Sequence, residues 1–331
     1  MRTVRNQPDP KVDQIEFGVE IETAIPATAG IRVGGYHNGA PVTRGQTPVG
    51  LSIPAPAFGR LHWRADRDGS IRYGADQQPC EFVSPRLRGV PGVERMREFL
   101  SFAGAVGATV NESCGLHVTI GVRSLLGTAE PGPVGQFVRK LVRHAHRHAW
   151  AIYGQTGTGR HLNRYSHQIT EFERQFERFG SVTSGQQLAG LVSDCGRGMV
   201  NLLKCHGEDP AIEFRAFAAT LDEALVLHHL ATVFGLCRKA ATTTAIPNFR
   251  GAKTVHLGSA EDAVRRLWRV LGWADSTDTT EIAFGLAGPL HAEFFRYREA
   301  ALNQCRTFDG LFPRAFATDP LPTTSTASTG N

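Results

Sequence analysis

The chain has 331 residues, 41% of them apolar, which is enough to bury the core of one large domain or two closely packed ones. No stretch approaches the roughly twenty uninterrupted apolar residues of a membrane span, and residues 1–7 lack the apolar core of a signal peptide. The formal charge of +5 comes from basic residues spread along the whole chain, without the dense run typical of nucleic-acid binding. We therefore expect a globular cytoplasmic protein without a membrane or nucleic-acid partner.

The first clear element is a strand over residues 14–23, where apolar and polar side chains alternate strictly. Its polar face carries Glu16, Gly18, Glu20 and Glu22. Residues 24–59 are rich in Gly, Pro and Ala with little periodicity, which predicts an irregular insert, either a long connection or a mobile flap over a site.

Further strands and helices follow in chain order. Strand patterns lie near residues 61–66, 80–85, 114–122, 199–203 and 211–217, and helix patterns near 91–103, 133–153, 222–241, 260–271 and 289–304. Strands and helices that do not alternate regularly indicate an α+β fold with an antiparallel or mixed sheet. The predicted organisation is an N-terminal extension at 1–14, one catalytic domain at 15–310 with the insert at 24–59, and a flexible tail at 311–331.

The six cysteines include no C-x-x-C pair, so the sequence indicates neither a zinc ribbon nor a disulfide framework. We expect reduced, mostly buried thiols.

The strand at 14–23 places Glu20 and Glu22 on one face, about 7 Å apart at the backbone. Such a face repels itself unless it is solvated or neutralised by cations, and both possibilities are open for this segment alone. Glu81 and Glu213 each interrupt a short apolar strand pattern, where an unpaired carboxylate would be costly to bury.

Two further side chains complete the candidate site. His117 points away from the apolar face of its strand, and Arg215 lies two positions after Glu213, hence on the same face. If these residues share one sheet face, oxygen ligands with one imidazole and one guanidinium suit Mg²⁺ or Mn²⁺ with nucleotide phosphates.

Several short motifs occur in a consistent order. They are FGVEIE at 17–22, DGSI at 68–71, EFVSP at 81–85, Asn111 followed by CGLHV at 114–118, and EFR at 213–215 followed by TLD at 220–222. Through these motifs the chain resembles the amidoligase family, relatives of glutamine synthetase and gamma-glutamylcysteine ligase, over roughly residues 15–240.

The resemblance implies a glutamine-synthetase-like catalytic fold, a curved and mainly antiparallel sheet backed by helices. It also implies ATP-dependent formation of an amide bond with Mg²⁺ or Mn²⁺. Glu20, His117 and Glu213 would hold the metal next to the ATP phosphates. Glu22 and Glu81 would hold the metal nearer the acceptor.

The same resemblance assigns roles to further residues. Arg215 would contact the phosphate and act catalytically with Glu81 and Glu213, while Arg197 and Asn201 would lie near the bound nucleotide or substrate. The family often has a second histidine where Thr119 stands. A carboxylate would attack the γ-phosphate of ATP to form an acyl phosphate, which an amine then converts to the amide. The acid and the amine would be small molecules or peptides.

Two weaker signals favour ordinary structure. His144 and His148 have the spacing of a zinc pair but lack the H-E-x-x-H arrangement, so a partly buried helix face is the preferred interpretation. The glycine-rich segment 154–159 lacks the Lys-Ser/Thr of a phosphate loop, which favours a flexible loop with Arg160 and Arg164 reaching into the site. The alternatives to a ligase are a two-metal hydrolase on the same acidic face and a non-catalytic nucleotide-binding protein.

Overall fold

A computed structural model describes residues 14–36, 39–44, 47–48, 62–166, 176–244, 259–273 and 289–312. Within these ranges the chain forms an eight-stranded sheet and a separate two-stranded hairpin. The strands are β1 Glu16–Pro26, β2 Ala40–Pro41, β3 Thr43–Arg44, β4 Thr47–Pro48, β5 Arg64–Asp66, β6 Gln77–Val83, β7 Leu87–Arg88, β8 Gly115–Gly121, β9 Val200–Asn201 and β10 Ala211–Ala218.

The large sheet is antiparallel throughout, in the order β2-β5-β6-β1-β8-β10-β9, and β7 also pairs with β1. The strands β3 and β4 form the hairpin. The central strand β1 lies between β6 and β8, so the residues on its polar face have neighbours on both sides. The predicted α+β fold with an antiparallel sheet is confirmed.

Nine α-helices accompany the sheet within the described ranges. They are α1 Gly89–Ala105, α2 Val122–Leu126, α3 Pro131–Arg147, α4 Ala149–Gly154, α5 Phe176–Phe179, α6 Gly185–Val192, α7 Glu223–Thr242, α8 Ala260–Val270 and α9 Pro289–Leu311. A 3₁₀ turn follows α4 at Gly159–Leu162.

The helices α1 and α7 cover the apolar face of the sheet. Phe17 of β1 meets Phe234 of α7 edge to face at 5.2 Å between ring centroids, and Phe82 of β6 meets Phe99 of α1 at 5.1 Å. Trp63, just before β5, stacks on the same Phe99 ring. Burial of these rings on one face leaves the opposite face of β1, with Glu20 and Glu22, available for a site.

Residues 24–26, assigned to the insert from the sequence, belong instead to β1. They pair with Gln77–Pro79 of β6, and Ala24 also exchanges backbone hydrogen bonds with Thr109. Partners so distant in the chain supply the strand geometry that the local sequence does not signal. Further along, Ala40–Pro41 and the β3–β4 hairpin are also strands. Residues 37–38, 45–46 and 49–59 of the predicted insert lie outside the described residues.

The helix predicted at 133–153 is divided into α3 and α4. His148 ends the first and begins the second with φ −110° and ψ 18°, outside the helical region. The helix α6 was not predicted, although Ser184 caps its first turn by accepting a hydrogen bond from the Gln187 amide.

The helix α9 runs to Leu311, so the predicted tail begins with a helical residue. Residues 313–331, like residues 1–13 of the predicted extension, lie outside the described part of the chain.

All six cysteines are free and buried, as expected. Of the described helices, none combines the length and apolar character that a bilayer crossing requires.

Candidate active site

The strand register brings the predicted metal-binding residues onto one face of the sheet. Glu20 of β1 lies opposite His117 of β8, and Glu22 lies opposite Glu81 of β6. Glu213 of β10 pairs with Thr119, two residues from His117 on the same face of β8. The predicted convergence of these five side chains is therefore observed.

His117 is the centre of this cluster, with a side chain only 2% exposed. Its Nδ1 atom lies 3.3 Å from Glu213 Oε1, 3.4 Å from Glu20 Oε2 and 3.9 Å from Glu81 Oε1. Its Nε2 atom lies 3.6 Å from Glu22 Oε1. The imidazole thus faces carboxylates through both ring nitrogens.

The donor atoms form two groups that could each hold a metal ion. One comprises Glu20, His117 and Glu213, and the other Glu22, Glu81 and His117; within each group the ligand atoms lie within 4.8 Å of one another. Carboxylate oxygens with one imidazole are the donor set that Mg²⁺ or Mn²⁺ accepts. The first group has the members that the family resemblance implies, whereas the second adds His117 to Glu22 and Glu81.

The site concentrates negative charge where little water can reach. Burial, together with the adjacent charges of Glu20 and Glu22, raises the pKa of Glu81 to about 9. Burial opposes ionisation of Glu20 too, but the hydrogen bond and charge of His117, with Lys204 and Arg215, hold the pKa of Glu20 below its usual value. A divalent cation would relieve the repulsion around Glu81, so the residues present fit such an ion.

Two guanidinium groups border the carboxylates. Arg215 Nη1 lies 2.8 Å from Glu213 Oε1, and its Nε donates to the Tyr165 carbonyl at 3.1 Å. Arg160, on the 3₁₀ turn, is buried and places Nη2 3.5 Å from His117 Nε2. A Cβ atom at Gly115 would lie 2.1 Å from that Nη2, so glycine leaves room for the guanidinium beside β8.

The two residues predicted near the nucleotide differ in what they contact. Asn201 of β9 is buried and donates to Glu213 Oε2 at 2.6 Å, so it positions a donor carboxylate. Arg197 is exposed, and its guanidinium carbon lies 5.6 Å from the centroid of the Tyr165 ring. Both residues line the same cleft as Glu20 and Glu213.

This cleft has a volume of about 1,110 Å³. Among the described residues, seven cationic side chains line it: Arg64, Arg72, Arg160, Arg164, Arg197, Lys204 and Arg215. Sequence reasoning missed Arg64, Arg72 and Lys204. Arg64 precedes the buried Ala65 in a strand pattern, so the alternation of faces could have indicated that Arg64 points to the face opposite the core. No sequence signal marked Tyr165, which enters the cleft through tertiary packing.

The histidine pair of α3 and the glycine-rich segment both lie in buried parts of the helical layer. His144 and His148 are buried at the end of α3 and belong to neither donor group found among the described residues. Residues 154–157 are buried rather than forming an exposed flexible loop, and Gly157 has the positive φ of 63° that a tight turn requires. Arg160 and Arg164 line the cleft, as predicted.

Fold and site together define an α+β protein with a carboxylate-rich cleft suited to a divalent cation. The profile of the family described as "Putative amidoligase enzyme" matches residues 13–232. The chain belongs to this amidoligase family. A comparison with curated proteins found no match.

Two solved structures show remote similarity. A bifunctional glutathione synthetase from Pasteurella multocida is 14% identical with a TM-score of 0.40, over 93% of this chain and 50% of that one. A complex between the prokaryotic ubiquitin-like protein Pup and its ligase PafA is 9% identical with a TM-score of 0.37, over 92% of this chain and 67% of that one. The chain spans half the length of the glutathione synthetase. Neither likeness is close enough to indicate a substrate.

Proposed function

We propose that this amidoligase is an ATP- and Mg²⁺-dependent carboxylate–amine ligase that activates its acid substrate as an acyl phosphate. The observation that supports this most is the cluster of four carboxylates, His117 and two guanidinium groups, of which Glu20, Glu22, Glu213 and both arginines line the cleft. Carboxylates that hold cations and arginines that face phosphates are what phosphoryl transfer from ATP requires. The cleft volume of about 1,110 Å³ leaves room for a nucleotide and a second ligand.

Each of the two groups of metal-binding residues would hold one cation, the first at the nucleotide and the second near the acid substrate. Glu20, His117 and Glu213 would hold the cation at the ATP phosphates, and Glu22 and Glu81 the cation nearer the acid substrate. When bound, Mg²⁺ or Mn²⁺ would neutralise the negative charge on the transferring phosphoryl group. The raised pKa of Glu81 is consistent with a carboxylate that ionises fully only beside such a cation.

The protein's own groups position the reacting phosphoryl group. Arg215 would bind its equatorial oxygens, because its guanidinium is fixed between Glu213 and the Tyr165 carbonyl. Glu213 in turn is oriented by Asn201. Arg197 at the cleft wall would contact the nucleotide phosphates further out. Acid and amine substrates would be small metabolites or peptides.

The test is ADP release from ATP and Mg²⁺ with pooled amino acids and peptides as acids and amines. A ligase releases ADP only when both an acid and an amine are present. Arg215→Lys is expected to slow ADP release about 10- to 100-fold, since a lysine cannot reproduce the planar contact. Arg88→Lys, on the exposed side of β7, serves as the matched control.

Other outcomes would exclude the proposal. Hydrolysis of an amide or ester substrate with metal alone, and no use of ATP, would identify a two-metal hydrolase. Nucleotide binding without turnover, insensitive to Glu22→Ala, would identify a non-catalytic binding protein.

A further inference from the structure

The glycine-rich segment at residues 154–159 lies directly against the C-terminal helix α9. A Cβ atom at Gly157 would lie 2.0 Å from Gln304 Oε1, and one at Gly159 would lie 3.3 Å from Phe312 Cζ. A side chain at either position would therefore push against α9 or the residue that follows it. The glycines allow the end of α9 to approach this segment closely.

The 3₁₀ turn that follows the glycines is held from two sides. The Arg160 carbonyl accepts a hydrogen bond from Ser166 Oγ at 2.8 Å. The His161 ring packs edge to face on Phe308 of α9 and on Phe312, at 5.4 and 4.8 Å respectively between ring centroids. These contacts fix the backbone from which the Arg160 side chain extends. The helix α9 therefore helps to determine where this side chain lies.

The Arg160 guanidinium lies against the second donor group, which consists of Glu22, Glu81 and His117. Its Nη2 is 3.5 Å from His117 Nε2, and its Nε donates to the Arg215 carbonyl at 3.4 Å. Burial lowers the pKa of Arg160, and the nearby charge of Glu22 is the strongest effect that opposes this. Since a guanidinium remains protonated in proteins, a positive charge is fixed beside these ligand atoms.

We propose that Arg160 competes with the divalent cation of the second donor group, and that α9 holds Arg160 in this competing position. The inference rests on the proposed function, which places a cation at this group. Arg160 is only 5% exposed, so water and salt screen its charge little. A divalent cation that enters beside Glu22 and His117 is therefore repelled by Arg160. An anion that binds next to Arg160 offsets this repulsion, so the cation near the acid binds best together with the acid.

Arg160→Met tests the competition because it removes the charge while keeping a long side chain. The variant is expected to bind Mn²⁺ about tenfold more tightly at the second donor group, whereas the loss of a merely structural contact would weaken binding. Glu81→Gln removes a carboxylate that belongs to this group alone, so the gain should disappear when both substitutions are combined. Arg160→Gln, which also lacks the charge, is the second variant.

Arg123→Met is the matched control. It removes an arginine charge at an exposed position of α2, outside the residues that line the cleft. Because solvent screens that charge, the Mn²⁺ affinity should stay within about twofold of wild type.

Phe312→Ala tests the part played by α9. Removal of the ring loosens the contact with His161, so Arg160 is expected to move away from the donor group and Mn²⁺ to bind about threefold more tightly. In the Arg160→Met background the same substitution should have no effect, because the charge is already absent. Phe312→Leu keeps an apolar contact and should behave like wild type. Gln304→Ala, at the other glycine contact, replaces Phe312→Ala if that variant does not fold.

The measurement is a calorimetric titration of the metal-free, full-length protein with MnCl₂, and circular dichroism establishes that each variant is folded. A folded Arg160→Met variant that binds Mn²⁺ no more tightly than wild type would overturn the proposal. So would a gain in affinity that persists in the Glu81→Gln background, or a Phe312→Ala substitution whose effect does not depend on Arg160. The titration uses neither ATP nor an acid substrate, so a failure of ADP release counts against the ligase proposal alone.

Discussion

Glu213 illustrates how single side chains hold the site together. Its Oε1 faces both His117 Nδ1 at 3.3 Å and Arg215 Nη1 at 2.8 Å, and its Oε2 accepts from Asn201 at 2.6 Å. Because Arg215 and Asn201 donate hydrogen bonds to its two oxygens, the carboxylate has little rotational freedom. Glu213 is thus a candidate metal ligand that is oriented before any ion arrives, which lowers the entropic cost of binding.

At this scale we predict that Glu213→Gln weakens Mn²⁺ binding on the order of 100-fold. The substitution removes a charged oxygen donor from the group it forms with Glu20 and His117. Calorimetric titration of metal-free protein with Mn²⁺ measures the change. Glu16→Gln, which removes a carboxylate of β1 that belongs to neither donor group, should leave the affinity within about twofold. Equal losses in the two variants would show that Mn²⁺ responds to overall charge instead of this site.

The residues of the site were predictable to different degrees. Alternation within β1 placed Glu20 and Glu22 on one face, and the same rule placed Glu213 with Arg215. The contact of Arg160 with His117 depends on how the 3₁₀ turn packs over the sheet, and the sequence suggested only that Arg160 reaches into the site. The role of Asn201 in orienting Glu213 required the β9–β10 register, which no local pattern reveals.

At the scale of elements, α8 depends on α9 for its N-terminal cap. Asp309 of α9 accepts from the Ala260 amide at 2.8 and 3.0 Å, and Ser259 caps the same end by accepting from Asp262. Ala260 also lies so close to Gly154 that a Cβ there would be 2.8 Å from the Ala260 Cβ. The three helices α4, α8 and α9 therefore meet at one point, beside the turn that carries Arg160.

We expect Asp309→Ala to lower the free energy of unfolding by about 1 kcal/mol, the usual cost of losing a helix cap. Urea denaturation followed by circular dichroism measures the loss. Glu299→Ala removes an acidic side chain from the same helix, but one that is 66% exposed, so its effect should be near zero. A loss as large for Glu299→Ala would contradict the assignment of Asp309 as the cap.

Strands and helices were predicted where a hydrophobic periodicity continued through a single segment of the chain. The strands β1, β6, β8 and β10 and the helices α1 and α7 follow from periodicity, with boundaries shifted by a few residues. The break at His148 was not foreseen, because apolar positions continue with helical spacing through both α3 and α4. The order of the strands across the sheet also lies beyond local pattern, since it depends on pairings such as β1 with β8 over a long separation.

At the scale of the whole molecule, the helical layer buries histidines in their neutral form. Burial is the main cause in each case: it lowers the pKa of His144 to about 4, and those of His148 and His228 to about 3. His228 of α7 packs edge to face against Trp268 and Trp273. His228 thereby joins α7 to α8, and the three buried histidines make the fold sensitive to acid.

The sign of that sensitivity follows from the lowered pKa values. Between pH 6.5 and the folded-state values near 3 to 4, the unfolded chain binds protons that the folded chain does not. Stability is therefore fully present above pH 6.5 and falls as the pH falls, by about 2 kcal/mol per histidine at pH 5. Urea midpoints at pH 7.5 and 5.0 measure this.

His228→Leu is expected to reduce the number of protons taken up on unfolding by up to one, so that the free energy of unfolding depends less steeply on pH. His206→Leu, at an exposed position, should not change this slope. A wild-type midpoint that is unchanged at pH 5.0 would contradict this account of the core.

The measurement that tests the central claim most directly is anomalous diffraction from crystals grown with Mn²⁺ and a non-hydrolysable ATP analogue. The account predicts a manganese peak about 2.0–2.2 Å from ligand atoms of Glu20, His117 and Glu213, with the terminal phosphate beside Arg215. A nucleotide bound outside this cleft, or manganese bound away from these carboxylates, would contradict it.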